Sequence, residues 1–490
     1  MMTSSPIRRP FVLASVMAAL FMIAIEATIV STAMPQIAGQ LGDLHLYAWV
    51  FSAFLLTQTA MTVVFGKLSD IYGRKPVLLV GIAIFLVGTV LCGLAWSMPS
   101  LILFRLLQGV GAGAIQPVAL TVVGDLYSAA ERGKIQGWLA SVWGVSSVLG
   151  PLAGGLIIAH LSWAWVFWIN VPVGIAAAYG FMTYLTENTV RERQKVDTIG
   201  ATLFAVTVAA VMIALTQAGS SSLRSAGIVA LVAALSALLF VVQERRAAAP
   251  MMDFSLWARR AIATANTATL LSGMAVIGLT TFLPLYVQGV LGQSPLVAGF
   301  ALTMMVFGWP VGATLCAKSF PRFGLRTPLL FGAALLPLGG LAFLLLAPGG
   351  SPVVAGLGSL VMGLGMGFLN TAAIVIIQDS VGWADRGAAT ASNIFSRNLG
   401  STFGATVLGV VLNISLAHPQ VGPPVDYDEI RALLDRPGQL GAEAVRLALG
   451  HSLHLTFWAV FVVALATLAA ATLVPRVAMK QRTETPALID

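Results

Sequence analysis

Long apolar runs, separated by short polar breaks, repeat along the whole chain. A helix that crosses a bilayer takes about 20 mostly apolar residues. Such runs occur at 11–34, 47–66, 77–96, 101–124, 135–159, 164–185, 198–217, 225–243, 262–286, 296–317, 328–347, 353–377, 388–414 and 453–474. They are continuously apolar rather than alternating, which predicts helices and excludes a closed barrel of strands. Fourteen transmembrane helices are therefore expected. The first run follows Arg8 and Arg9, as a cleaved leader would. Its length, Glu26 within it and the lack of a small-residue cleavage site predict a retained helix.

Composition narrows the class. Of 490 residues, 58% are hydrophobic and 9% charged, with mean hydropathy +0.90; a soluble domain carries about 25% charged residues. A soluble enzyme, a disordered regulator and a disulfide scaffold are excluded, the last because Cys92 and Cys316 both lie inside apolar runs. The net charge of +8 could suggest nucleic acid, but its distribution gives another reason. Twenty-one Lys and Arg fall in segments on the side of the termini and four (Arg224, Arg431, Arg436, Arg446) on the other. By the positive-inside rule both termini are cytoplasmic. Outer loops are short except 415–452, which holds Asp426, Asp428, Glu429, Asp435 and Glu443. Charged hinges at 187–197 and 244–261 flank the pair 198–243, whose one charge before Glu244 is Arg224. That pair is expected to be an inserted, lipid-facing hairpin.

The chain also repeats itself. YGRKPVLLVG (72–81) matches FGLRTPLLFG (323–332) at an offset of 251, and QGVGAG (108–113) matches MGLGMG (362–367) at 254. ERG (131–133) falls on DRG (385–387) at 254, and LGPLAG (149–154) on LGSTFG (399–404) at 250. Four echoes in one order imply two pseudo-symmetric six-helix bundles, 1–190 and 261–490, around a two-helix linker, 191–260. Paired halves are how many secondary transporters build two faces around a midplane site.

Several residues carry candidate chemistry. Glu26 lies about fifteen residues into the first run, roughly 22 Å along a helix. An ionised carboxylate there costs several kcal/mol, so Glu26 would hold a proton unless paired. It can serve proton or substrate coupling, or a structural hydrogen bond. Arg105 enters from the outer side to a similar depth. It cannot discharge and needs either Glu26, directly or through Gln108, or backbone carbonyls. Arg397, nearer mid-depth, can attract an anionic group or brace packing. GKLSDIYGRK (66–75) fills a short inner turn. Gly66 and Gly73 permit close approach and a tight turn. Asp70 can cap a helix or pair with Arg74, and Lys75 with Lys67 holds the loop at the inner face. This spacing suggests a charge latch favouring one access state. Gly150, Pro151, Gly154 and Gly155 are expected to kink the fifth helix and admit a neighbouring backbone. Phe282, Tyr286, Met304, Met305, Phe307 and Trp309 could line an adaptable pocket, or face lipid and core.

Other chemistries find no support. The glycines at 109, 111 and 113 miss the dinucleotide-binding spacing, and no GxxxxGK[ST] occurs, so neither nucleotide binding nor ATP-driven transport is expected. His451 and His454 stand three apart without an acid or cysteine beside them in the span, which argues against a metal or an embedded enzyme.

The 66–75 loop, LILFRLLQGVGAGA with Arg105, and LGPLAGG resemble three signature motifs of the major facilitator superfamily. IEATIVSTAMP (25–35) resembles a fourth, typical of its fourteen-span drug:proton antiporters. The resemblance implies that Asp70, Gly73 and Arg74 form a conformational latch and that Arg105 takes part in proton coupling. It places Gly150 and Pro151 in the antiporter helix and Glu26 at the embedded acid site. This chain departs from the pattern in having Glu26 for a common Asp, Ser31 for a frequent Asn, Ser146 for Gly, and Pro321 where the second-half loop would carry Asp. The implied protein is an all-α major facilitator fold in the cell (inner) membrane, acting as a monomer in the lipid bilayer. It would export amphiphilic molecules, as in multidrug efflux and antibiotic resistance, with the proton as coupling ion and no cofactor. A dedicated exporter of one metabolite, siderophore or lipid fits nearly as well, a facilitator or importer less well. Arg outnumbers Lys 21 to 6, a bias that a GC-rich bacterial gene would give.

Overall fold

The computed structural model describes residues 8–42, 46–187, 197–218, 223–247, 254–417, 425, 429–430 and 442–477, which contain helices and no strand. The first stretch holds α1 (Arg9–Leu41), α2 (Tyr47–Tyr72), α3 (Arg74–Gly93), α4 (Met98–Leu126), α5 (Ala129–His160), α6 (Trp165–Trp168) and α7 (Asn170–Tyr184). Next come α8 (Thr198–Ala218), α9 (Leu223–Arg246) and the short α10 (Phe254–Ala258). The last stretch holds α11 (Arg260–Leu285), α12 (Pro295–Phe323), α13 (Arg326–Leu344), α14 (Pro352–Asp379), α15 (Arg386–Ala417) and α16 (Ala442–Thr472).

Local chemistry marks the starts. The Ser128 amide donates to the Glu131 carboxylate at 2.7 Å, and the Glu131 amide to the Ser128 hydroxyl, a reciprocal cap that opens α5. Ser97 and Ser100 do the same for α4. At α12 and α14 a capping serine, Ser294 or Ser351, is followed by proline, whose missing N–H is no loss at that position.

Thirteen helices among the described residues are long and apolar enough to cross a membrane, and Thr198–Ala214 is a shorter apolar helix. Three boundaries move. The run 164–185 breaks at Ile169 into α6 and α7, and α11 passes into a π-helical turn, Tyr286–Val290. The loop expected over 415–452 is already helical from Ala442, because helix propagation needs no unbroken apolar run. Asp426, Asp428 and Asp435 lie outside the described residues, as do 188–196 and 248–253 of the hinges.

Buried apolar side chains form two clusters within residues 12–185 and one running from Leu256 to Val474. A fourth ties the hairpin to both groups: Phe204 of α8 packs against Phe240 of α9 and Phe395 of α15, with Val63 of α2 alongside. The hairpin is therefore not simply lipid-facing. Its inner side is wedged onto α2 and α15, and Ile228, Leu231, Leu235 and Leu238 stay exposed on its other face. The two groups of six helices meet along α2–α15 and α5–α12.

Candidate functional site

Three features sit between or within these groups. The first is the Glu26 pair. Arg105 Nη1 donates to Glu26 Oε1 at 2.5 Å and to Gln108 Oε1 at 2.8 Å, while its Nε donates to the Val50 carbonyl at 3.2 Å. Its guanidinium also covers the Phe54 ring, 4.3 Å from the centroid. Both charged side chains are essentially inaccessible, Glu26 at 0% and Arg105 at 2%. A charge pair in so dry a place holds only when the remaining donors and acceptors are also satisfied. Gln108 meets that need by passing its amide to Thr89 at 2.9 Å, and Asn170 of α7 donates to the second Glu26 oxygen at 2.6 Å. Asn170 was not singled out in the sequence; its signal was a lone amide inside an apolar run.

Beside this pair, α5 presses on α1. A Cβ at Gly150 would overlap the Thr28 hydroxyl, and Thr28 donates to the Ser146 carbonyl at 3.0 Å. The close approach expected of the glycine-rich segment therefore holds at Gly150. Gly154 is buried, whereas Gly155 faces open space and brings no backbone near. The side chains of Ser31 and Pro151 lie outside the described residues. α5 continues as one helix from Ala129 to His160.

The second feature is a lock across the halves at their Lys/Arg-rich end. Gly66 lets α2 touch α15: a Cβ there would overlap that of Ala391 and lie 3.0 Å from the Gly387 carbonyl. Asp70 then accepts from the amides of Gly387 and Ala388 at 2.9 and 2.8 Å, capping α15 from the other half. It also pairs with Arg74 Nη1 at 2.6 Å. Arg74 reaches Asp125 at 3.2 Å, donates to the Trp383 carbonyl at 2.8 Å and lies over the Trp383 ring at 4.5 Å. Gly73 makes the turn at φ +97°, a backbone state that favours glycine. Lys75 stays within its own half: its amide and that of Arg74 donate to Glu187 at 2.9 and 2.7 Å, and its Nζ to the Met182 carbonyl.

Three more residues complete the lock. Arg132 Nη2 donates to Asp379 across the halves at 2.6 Å, and Arg386 Nη1 returns to Asp125 at 2.7 Å. Sequence reasoning overlooked both aspartates, although the 254-residue offset that relates ERG to DRG also relates Asp125 to Asp379.

The third feature is a cavity of about 410 Å³ between the halves. Leu20, Thr28, Gln116, Leu139 and Trp143 line it from one side, and Met305, Trp309, Asn370, Asn393 and Arg397 from the other. Of the expected pocket residues, Met305, Trp309 and Arg397 are there. Phe282 and Tyr286 are core instead, buried to 6% and 1%, with the Tyr286 hydroxyl donating to the Leu346 carbonyl at 3.1 Å. Met304 does not line the cavity and approaches Gly356, and Phe307 is 60% exposed on the outer surface.

Two helical bundles enclosing a polar-apolar cavity, with ion pairs joining them at one end, fit a polytopic membrane transporter. Residues 16–405 match the model of the Major Facilitator Superfamily, and the chain belongs to that family. It is 35% identical over 405 residues to Multidrug resistance protein 3 of Bacillus subtilis (strain 168), covering 82% of this chain and 79% of that one. It is 33% identical over 410 residues to Multidrug transporter protein MdtP of the same organism, covering 83% and 76%. The crystal structure of the human organic anion transporter MFSD10 shares the fold, with TM-score 0.64 at 16% identity over 94% of this chain and 100% of that one. The family read from the motifs is thus the right one, and this chain is a transporter rather than an enzyme.

Proposed function

We propose that this chain exports amphiphilic small molecules in exchange for protons, by alternating access, from a plasma membrane in which both termini are cytoplasmic. The relatives named as multidrug transporters support the cargo, and the bias of positive charge supports the orientation. The observation that carries the coupling is Glu26, a sealed carboxylate whose two oxygens are held by Arg105 on α4 and Asn170 on α7. A proton on Glu26 removes one member of the pair and leaves Arg105 to Gln108 and the Val50 carbonyl. The same α4 carries Asp125 twenty residues on, roughly 30 Å along the helix. A shift of α4 at Arg105 is therefore felt at Asp125, where it meets Arg74 and Arg386 and helps shut the Lys/Arg-rich end. Inward proton flow supplies the drive; one charge across 100 mV contributes about 2.3 kcal/mol.

The test uses inverted membrane vesicles with an acid-inside gradient reported by a quenched fluorescent amine. Amphiphiles added to wild type should release protons, and the Glu26→Gln variant should not respond. Equal release by both would remove Glu26 from the coupling path. A response to one compound alone would favour a dedicated exporter over a multidrug one.

A further inference from the structure

The arginines of the lock and of the Glu26 pair all have carboxylates: Arg105 has Glu26, Arg74 has Asp70 and Asp125, Arg132 has Asp379, and Arg386 has Asp125. Arg397 differs. It sits eleven residues into α15, roughly 17 Å from its start and near the middle of the bundle. It is only partly buried and lines the central cavity, and its side chain has no ionic or hydrogen-bonding partner among the described residues. A guanidinium cannot discharge by losing its proton, so what enters the cavity must suit a fixed positive charge.

The rest of the lining agrees. No carboxylate is among its residues. Glu26, the acid that could draw in a cation, is enclosed by Arg105 and Asn170 and does not line the cavity. Gln116, Gln136 and Asn398 add neutral amides, while Trp143, Met305 and Trp309 offer broad apolar and polarizable surface. The walls thus match a ligand with an apolar body and one negative group. Planar forked donors of a guanidinium suit carboxylate, sulfonate and phosphate alike.

We propose that the central cavity binds amphiphilic anions, an apolar body bearing a carboxylate, sulfonate or phosphate, with Arg397 holding the anionic group. The proposal names the cargo class for the export reading above, but the site itself stands on the cavity and does not need proton coupling. It also fits the energetics, because a potential negative inside drives an anion outward.

The test compares two probes with the same ring skeleton, on the full chain in nanodiscs with empty nanodiscs subtracted. 1-Anilinonaphthalene-8-sulfonate carries the negative group; N-phenyl-1-naphthylamine lacks it. Wild type should bind the sulfonate at least tenfold more tightly than its neutral parent, and tetraphenylphosphonium should compete poorly. In Arg397→Gln the ratio of the two affinities should fall at least tenfold, and Arg397→Lys should recover part of it. Equal affinities in wild type, effective competition by the phosphonium, or an unchanged ratio in Arg397→Gln would overturn the proposal. Should Arg397→Gln fail to insert, the wild-type ratio and Arg397→Lys still decide. Nanodiscs with and without phosphatidylglycerol separate the two sources of such an anion. Displacement of the probe by that lipid assigns the site to a lipid headgroup, and its absence to a free amphiphile. Selective sulfonate binding without proton release in vesicles would sink proton-coupled export and leave this site standing. Proton release by cations with no sulfonate preference would do the reverse.

Discussion

Arg132 reaches Asp379 in the opposite half at 2.6 Å, with side-chain exposures of 6% and 1%. The 254-residue offset of the repeat carries Arg132 onto Arg386 and Asp379 back onto Asp125, and those two residues also pair, at 2.7 Å. Each half therefore lends an arginine to the aspartate of the other. Two such bridges, with Asp70 capping α15, join the two halves at the Lys/Arg-rich end.

Breaking one bridge should bias the carrier toward opening at that end. Removing one partner of a buried pair typically costs about 3–5 kcal/mol, because the other charge is left stranded. We expect Asp379→Asn to raise labelling of an Ala140→Cys reporter in the cavity at least tenfold, using an impermeant maleimide applied from the Lys/Arg-rich side. The background would carry Cys92→Ser and Cys316→Ser. The exchanged pair Arg132→Asp with Asp379→Arg should return labelling toward the parent value. Unchanged labelling in the single variant would show that the bridge does not hold this end shut.

The α2–α15 contact makes a separate steric prediction. A methyl group at Gly66 would overlap the Ala391 Cβ. Gly66→Ala should therefore lose most substrate-driven proton release while the protein still inserts, and adding Ala391→Gly should restore a substantial part. Full activity of Gly66→Ala alone would mean that the two helices never approach this closely in the working cycle.

These contacts divide by how far they could be read from the chain. Glu26 and Arg105 were legible as partners because both lie deep in apolar runs, where an unpaired charge is costly. Asp70, Gly73 and Arg74 were legible by their spacing. Asn170 and Glu187 were not, since a polar residue in or beside a span does not say which helix it will meet. The pocket was half legible: Met305 and Trp309 face the cavity, while Phe282 and Tyr286 turn into the core. All four sit in similarly apolar stretches, and which face is presented depends on how α11 and α12 rotate against their neighbours.

The Glu26 pair predicts a non-additive stability cycle. Arg105→Met leaves Glu26 without its cation, and Glu26→Gln leaves Arg105 without its anion; each should lower stability by about 3–5 kcal/mol if the charge remains. The double variant should be clearly more stable than the two losses added together, because neither charge is stranded. Thermal unfolding in detergent measures this. Strict additivity would indicate that the 2.5 Å contact contributes little coupling energy.

The glycines of α5 give the last contrast, one substitution against another on the same helix. A methyl at Gly150 would overlap the Thr28 hydroxyl, two residues beyond Glu26 on α1, whereas one at Gly155 meets nothing within 4 Å. Alanine is also the better helix former by about 1 kcal/mol, so the bare backbone effect favours both changes. Gly155→Ala should therefore retain transport and unfold at the same or a slightly higher temperature. Gly150→Ala should insert but lose transport by tenfold or more, because α1 must shift beside the acid. Thr28→Ala, which removes the overlapping hydroxyl, should return part of the loss. If Gly150→Ala behaves like Gly155→Ala, then α5 does not bear on α1 during transport, and the positioning of Glu26 must depend on α4 and α7 alone.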